Sequence, residues 1–275
     1  MQNSINLKKH LYNYGIDELA YYDQGKGEQT ILLIHGFGED HAIWKNQIEF
    51  LSTHYRVIAP NLPGVHCKPL ALHHSQAPSM RMYVEVLHEL MHHLNIEQYF
   101  IIGHSMGGYI GLSFADYYVN HVQGLLLFHS TTYEDNEAKK TSRMKVAEFI
   151  QEWGVSKYLE TATPNLFGDA FKKTNPGVIQ NVIESGSGIS QEAMIQFVFS
   201  MRNRKAMTHL LQQHTIPVWM IAGDADLAVT IQDSLEQIKL LPSSNSLVLN
   251  NVGHMGMFEA TDQVNEFIHQ CIQSA

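Results

Sequence analysis

The sequence predicts an α/β protein with a mostly parallel sheet of eight strands, helices on both faces and one helical insertion. Fully apolar strand signals, such as those at 30–34 and 99–102, alternate with helical segments, which is typical of a parallel sheet covered on both faces. The alternation stops between 131 and 208, where the patterns are helical. We therefore expect a core of residues 1–130 and 209–275 and a helical cap of residues 131–208.

The predicted elements follow one another along the chain. The strands are expected at 10–14, 19–22, 30–34, 55–59, 99–102, 124–128, 217–222 and 246–249, and the core helices at 43–53, 79–94, 106–119, 230–240 and 261–271. The first two strands form a hairpin around Gly15–Glu18, and the prolines and glycine of Pro60–Gly64 end the fourth strand. Ser79 caps the second helix, after a polar loop at 65–78.

The composition excludes several classes of protein. A chain of 275 residues, of which 44% are hydrophobic, can bury a core without disulfides or metal. The net charge of −9, spread along the chain, argues against nucleic acid or an anionic membrane as a partner. Cys67 and Cys271 imply no disulfide framework and fit a reducing compartment. Residues 1–11 lack the apolar region of a signal peptide and no run is long enough to span a membrane, so we predict a cytoplasmic protein.

A serine between two glycines stands where the strand at 99–102 meets the helix at 106–119. The residues are Gly103-His104-Ser105-Met106-Gly107. The backbone turns too sharply at such a junction for bulky neighbours, and the serine hydroxyl is held at the carboxyl end of the strand. Serine is a weak nucleophile that needs a base, and the base needs an acid that orients it. We predict that Ser105 is a nucleophile and expect both partners at the ends of later strands.

A second motif of similar rarity lies upstream. The run His88-Glu89-Leu90-Met91-His92 matches the zinc-binding helix pattern H-E-x-x-H. At about 100° per residue, both histidines point away from the apolar stripe of that helix, so we expect them to face solvent. A zinc protease needs this pair in a shielded cleft with a third ligand, and the sequence marks none. We predict a solvated helix face and no metal site.

Two later strand ends carry candidate partners for Ser105. The strand at 217–222 leads into Gly223-Asp224-Ala225-Asp226, and the strand at 246–249 leads into Gly253-His254. Open parallel sheets place their functional sites at these carboxyl ends.

Together with His35-Gly36-Phe37-Gly38 after the third strand, and with Glu259 five residues after the histidine, these motifs resemble the α/β-hydrolase superfamily over nearly the whole chain. The resemblance implies the α/β-hydrolase fold with an inserted helical cap. It also implies that His254 acts as base and then acid, and that Asp226 orients it. The backbone N–H groups of Phe37 and Met106 would form the oxyanion hole.

Several positions stay open or depart from the family pattern. Asp224 and Asp135 are alternative acids, and His35 is expected to be structural. Members often carry Asp-x-x-Gly-x-Gly-x-Ser where this chain has 61–66, and a proline where it has Thr230. Four cap residues are expected either to line a pocket or to belong to the core, namely Met194, Phe197, Met201 and Met207.

The resemblance implies a serine hydrolase that cleaves a small carboxylic ester or lactone through an acyl-enzyme, without a cofactor. A serine instead of an aspartate at the elbow argues against haloalkane dehalogenase and epoxide hydrolase chemistry. A carbon–carbon bond hydrolase or lyase on the same triad, a haloperoxidase-like protein and a weakly catalytic ligand-binding receptor remain alternatives. The sequence leaves the physiological substrate and the oligomeric state open.

Overall fold

The computed structural model describes residues 9–15, 17–72, 77–213 and 215–275. Three predictions fall partly outside these ranges. They are the absence of a signal peptide at the N-terminus, the opening turn at Ile16 and the polar loop at 73–76.

The described residues form one eight-stranded sheet, in the order β1-β2-β4-β3-β5-β6-β7-β8. β2 pairs antiparallel with β1 and β4, and all other neighbours are parallel. The strands are β1 (Lys9–Asn13), β2 (Glu18–Gln24), β3 (Thr30–Ile34), β4 (Arg56–Pro60), β5 (Tyr99–His104), β6 (Val122–Phe128), β7 (Val218–Gly223) and β8 (Ser246–Leu249). The predicted fold class is therefore confirmed.

The helices cover the sheet and fill the interval between β6 and β7. They are α1 (Lys45–Leu51), α2 (Met80–His93), α3 (Met106–Tyr117), α4 (Glu137–Ala162), α5 (Asp169–Thr174), α6 (Pro176–Gly186), α7 (Gln191–Asn203), α8 (His209–Gln213), α9 (Ile231–Ile238), α10 (Gly256–Glu259) and α11 (Thr261–Gln273). The predicted core elements agree with these bounds to within two residues. Among the described residues, no helix combines the length and the apolar character that crossing a membrane requires.

Helices α4 to α7 lie in the segment for which the sequence predicts a cap. Asn136 and Ser190 start α4 and α7 by accepting hydrogen bonds from backbone N–H groups of the first turn. Gly154 kinks α4 with a φ of 81°, a conformation that glycine adopts without a steric penalty. The exact division of the chain into core and cap stays a prediction.

The sheet topology fixes where a site can form. β3 lies between β4 and β5 in the sheet. The chain runs from β3 to β4 on one side and then crosses back to form β5 on the other side. A crevice opens at such a switch point, outside the carboxyl ends of the two strands. The loop that starts at His35 and the turn at Ser105 both lie there, because they directly follow β3 and β5.

Trp44 is the largest side chain buried beneath this edge. It has no exposed surface, and its ring packs against Phe128 at 5.6 Å and His104 at 6.3 Å between centroids. Trp153, by contrast, is 60% exposed in the cap. The two tryptophans therefore offer a matched comparison of buried and exposed positions.

Replacing Trp44 with alanine should lower the free energy of unfolding by about 3–5 kcal/mol, because a large cavity opens in a packed core. The same change at Trp153 should alter it by less than about 0.5 kcal/mol, since an exposed side chain has few contacts to lose. Urea denaturation followed by far-UV circular dichroism measures both. Equal losses for the two variants would contradict the packing described for Trp44.

Candidate active site

Ser105 lies at the sharp turn between β5 and α3. Its backbone has φ 50° and ψ −113°, in a region that residues other than glycine rarely adopt. Its N–H donates to the carbonyl of Phe128 at 2.9 Å, and its carbonyl accepts from the Ser130 hydroxyl at 2.8 Å. These bonds hold a strained conformation of the kind that is concentrated at functional sites.

Both glycines of the motif lie where a side chain would collide with the neighbouring backbone. A Cβ on Gly103 would collide with the carbonyl of Gly107, and a Cβ on Gly107 would collide with the carbonyl of Ile34. This close packing places the start of α3, with Met106, beside the loop after β3. Phe37 lies in that loop, so the two predicted oxyanion residues belong to neighbouring segments.

His254 is paired with Asp226. Its Nδ1 lies 2.7 Å from Oδ2 of Asp226, and both side chains are almost completely buried. The other predicted acids lie elsewhere. Asp224 is exposed and accepts from the N–H of Asn251 at 2.6 Å, and Asp135 is paired with two arginines. Of the three acids considered, the structure brings Asp226 to His254.

Asp226 also binds a residue that the sequence reasoning missed. His129 directly follows β6, and its Nδ1 lies 3.2 Å from Oδ2 of Asp226. The second carboxylate oxygen accepts from the N–H groups of Ala228 at 2.8 Å and Val229 at 3.0 Å. The carboxylate thus has four donors, which matches its capacity and holds it in one orientation.

The protonation states follow from these contacts. Burial alone would raise the pKa of Asp226, but His254 and His129 lower it far below its ordinary value. Burial lowers the pKa of His129 to about 4, against the opposite effect of Asp226. Burial also acts to lower the pKa of His254, but Asp226 outweighs it and the pKa is raised above the usual 6.5. At neutral pH, Asp226 is therefore ionised and His129 is uncharged.

A second buried pair lies beneath Ser105, and it was also missed. Nδ1 of His104 lies 2.9 Å from Oε2 of Glu39, and Nε2 of His104 lies 2.9 Å from the carbonyl oxygen of His254. The same Glu39 oxygen accepts from the N–H of Gly36 at 2.7 Å. Burial would raise the pKa of Glu39, but His104 holds it below its ordinary value. With Glu39 ionised, both atoms that contact the ring nitrogens of His104 are hydrogen-bond acceptors.

His35 is structural, in agreement with the sequence. Its Nδ1 donates to the carbonyl of Gly36 at 2.9 Å, and its Nε2 accepts from the N–H of Leu62 at 3.0 Å. The second contact attaches the loop at 61–66, which departs from the family pattern, to the loop after β3. The other departure, Thr230, caps α9 by accepting from the N–H of Asp233.

Glu259 fixes the loop that carries His254. Its carboxylate accepts from the N–H groups of Gly253 at 3.1 Å, Met255 at 3.2 Å and Gly168 at 2.8 Å. The N–H of His254 donates to the carbonyl of Leu166 at 2.6 Å. Because Leu166 and Gly168 lie between α4 and α5, these bonds also tie the histidine loop to the helical insertion.

Ser105 and His254 line one cavity of about 250 Å³. Phe37 lies in its wall, and helix α4 contributes Arg143 and Tyr158. Four residues of the predicted cap are expected from the sequence either to line a pocket or to belong to the core. Of these, Met201 lines this cavity, and Met207 lines a neighbouring one. The remaining two, Met194 and Phe197, are fully buried in the core.

The comparisons with known proteins agree with this geometry. The model of the family described as alpha/beta hydrolase fold matches residues 29–175. The chain belongs to this family.

Two curated relatives of this chain are named as hydrolases. (E)-2-((N-methylformamido)methylene)succinate hydrolase of Acinetobacter baylyi is 24% identical over 92% of this chain and 94% of its own length. 2-hydroxy-6-oxo-6-(2'-aminophenyl)hexa-2,4-dienoic acid hydrolase of Metapseudomonas resinovorans is 25% identical over 90% of this chain and 84% of its own. The malate-bound structure of a thermophilic esterase from Thermogutta terrifontis superimposes with a TM-score of 0.87 and 26% identity, covering 97% of this chain and 98% of that one. Family, fold and relatives support an enzyme of the α/β-hydrolase type.

The two histidines of the zinc-binding pattern differ in their exposure. His92 is exposed as expected, but His88 is half-buried and stacks on Tyr118 at 3.8 Å between ring centroids, which corrects the prediction that it faces solvent. Among the residues that the structure describes, one group of three side chains brings its potential metal ligands close together. That group is His129, Asp226 and His254, and not the H-E-x-x-H pair.

Replacing Glu39 with glutamine should lower the free energy of unfolding by about 3–5 kcal/mol at pH 7, because it removes the ionised carboxylate against which His104 is buried. The pKa of Glu39 is lowered in the folded protein, so its stabilising contribution is complete above the unfolded value of about 4.5 and is lost as the pH falls through the folded pKa. The deficit of the variant should therefore shrink below pH 4.5. Urea denaturation at pH 7 and at pH 3.5 measures it.

Glu148→Gln is the control, because Glu148 is an exposed carboxylate on α4. It should leave the free energy of unfolding within about 0.5 kcal/mol of the parent at both pH values. A Glu39→Gln variant as stable as this control would show that the buried pair contributes nothing.

Proposed function

We propose that this protein is a serine hydrolase that cleaves a small carboxylic ester or lactone through an acyl-enzyme intermediate. The observation that carries the proposal is the buried contact of 2.7 Å between His254 and Asp226, on the wall of the cavity that also holds Ser105. A histidine fixed by a carboxylate through Nδ1 has its Nε2 left to exchange a proton with a serine hydroxyl.

The first half of the reaction forms the acyl-enzyme. Nε2 of His254 takes the proton of the Ser105 hydroxyl as Oγ attacks the carbonyl carbon of the substrate. Negative charge develops on the carbonyl oxygen, and the N–H groups of Phe37 and Met106 stabilise it. His254 then gives its proton to the leaving alcohol, and the bond to that oxygen breaks.

The second half repeats these steps with water. His254 accepts a proton from a water molecule that attacks the acyl carbon, and it returns the proton to Ser105 as the carboxylic acid leaves. Asp226 keeps its charge throughout and stabilises the imidazolium that forms in both halves. The cavity of about 250 Å³ favours a small substrate, and the proposed mechanism requires no cofactor.

A second candidate is hydrolysis of a bond other than an ester by the same residues. The two curated relatives named as hydrolases of other compounds favour it. Esters and these compounds would use the same Ser105, so labelling of the serine tests both candidates, and a panel of substrates separates them.

Ser105→Ala should abolish hydrolysis of short-chain 4-nitrophenyl esters, because the attacking hydroxyl is removed. A fluorophosphonate probe should label the parent at Ser105 and leave the variant unlabelled, as read by mass spectrometry of the modified peptide. Ser244→Ala, at an exposed serine far along the chain, is the control and should keep both activity and labelling. Full activity in Ser105→Ala, or a label on another residue, would refute the assignment.

The pH dependence should report on His254. Because the base must be uncharged and its pKa is raised above 6.5, kcat/KM should fall as the pH decreases through an apparent pKa above that value. Asp226→Asn should lower kcat by about 10²–10⁴-fold, since the ring loses the charge that orients and stabilises it.

Asp224→Asn is the matched control, two residues away and equally a loss of one negative charge. It should keep kcat within about threefold of the parent, because Asp224 contacts the backbone of Asn251 and not the histidine. The reverse ranking of the two variants would make Asp224 the orienting acid.

A further inference from the structure

A cationic side chain lines the cavity that holds Ser105 and His254. Arg143 lies in the first half of α4 and forms part of the cavity wall, and Lys139 stands one turn before it. The chain as a whole carries a net charge of −9. A positive group beside the candidate nucleophile therefore runs against the charge of the rest of the protein.

A buried carboxylate holds Arg143 in place. The side chain of Asp135 is 1% exposed, and its Oδ2 accepts from Nε of Arg143 at 3.1 Å. Its Oδ1 lies 2.9 Å from Nη2 of Arg204. Burial would raise the pKa of Asp135, but the two guanidinium groups keep it below its ordinary value. Asp135 is therefore ionised and compensates one of the two positive charges.

Arg204 is fully engaged by other groups. Its Nε donates to the carbonyl of Tyr133 at 3.2 Å, and its Nη1 donates to the carbonyl of Met201 at 2.8 Å. Its guanidinium lies 4.0 Å from the centre of the Tyr109 ring, and its side chain is 6% exposed. Asp135 thus faces two guanidinium groups with a single negative charge, so it compensates only one of them.

The two Nη groups of Arg143 are available to donate hydrogen bonds to a ligand. Among the described residues, its hydrogen bond to Asp135 uses Nε, and neither Nη group has a partner. The side chain is 25% exposed. The two Nη groups present parallel N–H bonds in the geometry that a carboxylate accepts in bidentate fashion.

Tyr158 lines the same cavity as Arg143 and contacts the loop after β3. The Tyr158 ring packs against Phe37 at 5.7 Å between centroids. Burial raises the pKa of Tyr158, and the charge of Arg143 opposes this effect, as expected for neighbours in one cavity. Arg143 and the loop that would bind the oxyanion therefore belong to the wall of the same cavity.

We propose that Arg143 binds a carboxylate group of the substrate, so that the preferred substrate is a small ester or lactone that carries a second, ionised carboxyl group. The inference rests on the proposed function, since it assigns the substrate of that same site. Lys139 adds a weaker attraction, because its Nζ lies 3.6 Å from Asp233 and both side chains are partly exposed to solvent. The cavity of about 250 Å³ restricts the distance between the two carboxyl groups to a few bonds.

The test compares charged and neutral esters of similar size. The ratio of kcat/KM for monomethyl glutarate to that for methyl pentanoate should exceed 10 in the parent. Arg143→Gln should lower this ratio about 10- to 100-fold, mainly through KM, because a charge-assisted bidentate contact is lost. Arg143→Lys keeps the charge but lacks the two parallel N–H donors, so it should restore part of the ratio.

Lys145→Gln is the matched control. It removes one positive charge from an exposed position on the same helix, outside the cavity. The ratio should stay at the value of the parent. The pair 4-acetoxybutanoate and butyl acetate repeats the comparison with the carboxylate on the alcohol side, and the pair with the larger ratio identifies which half of the substrate Arg143 binds.

Inhibition of the parent enzyme keeps the test independent of how the variants fold. Glutarate should inhibit hydrolysis of methyl pentanoate competitively, and the uncharged glutaramide should inhibit at least tenfold more weakly. Equal inhibition by both compounds, or a substrate ratio near one that Arg143→Gln does not change, would overturn the carboxylate assignment while Ser105 still hydrolyses neutral esters. If no ester is cleaved and Ser105 is not labelled, the proposed function itself fails. In that case, a thermal shift of the parent with glutarate that is lost in Arg143→Gln would still show that Arg143 binds a carboxylate.

Discussion

Three loops at the carboxyl edge of the sheet are held together by the buried pair of Glu39 and His104. Glu39 lies in the loop after β3, His104 ends β5, and the second ring nitrogen of His104 reaches the carbonyl of His254 after β8. Neither side chain of the pair is more than 2% exposed, so water screens their attraction little. Separating them would leave a charge buried without compensation. The relative positions of the loop after β3, Ser105 and His254 depend on this pair.

The same edge of the sheet contains a strained backbone at Ser105 and a buried charge at Asp226. Both depend on hydrogen bonds from the residues around them. The left-handed backbone of Ser105 persists because β6 and the residue after it, Ser130, bind its N–H and carbonyl. Asp226 stays ionised in a buried place because four donors surround it, one of them from His129. Such groups do not have to reorganise when charge develops on a substrate, and this is how a fixed polar site lowers a barrier.

Features that depend on residues close together in the sequence could be predicted. Contacts between side chains that are far apart in the sequence could not. The glycines around Ser105 and the strand ends at Asp226 and His254 follow from local turns and apolar runs, and the fold class follows from their alternation. The Glu39–His104 pair spans 65 positions, and the His129–Asp226 contact spans 97. No local pattern distinguishes these side chains in a chain with 17 histidines. One signal was present, since His129 directly follows a buried strand in the same way as the other site residues.

The helical insertion contributes a different kind of constraint. Arg143, one of the charged residues that line the cavity, is paired with Asp135 in the segment between β6 and α4, and Asp135 is also paired with Arg204 directly after α7. These three residues make no hydrogen bond or ion pair with Ser105, Asp226 or His254 among the described residues. In the proposed function, substrate recognition and bond cleavage would therefore rest on separate sets of charged groups. A fold built in this way can change its substrate through the insertion while the edge of the sheet keeps its chemistry, which is why the fold alone does not define the substrate.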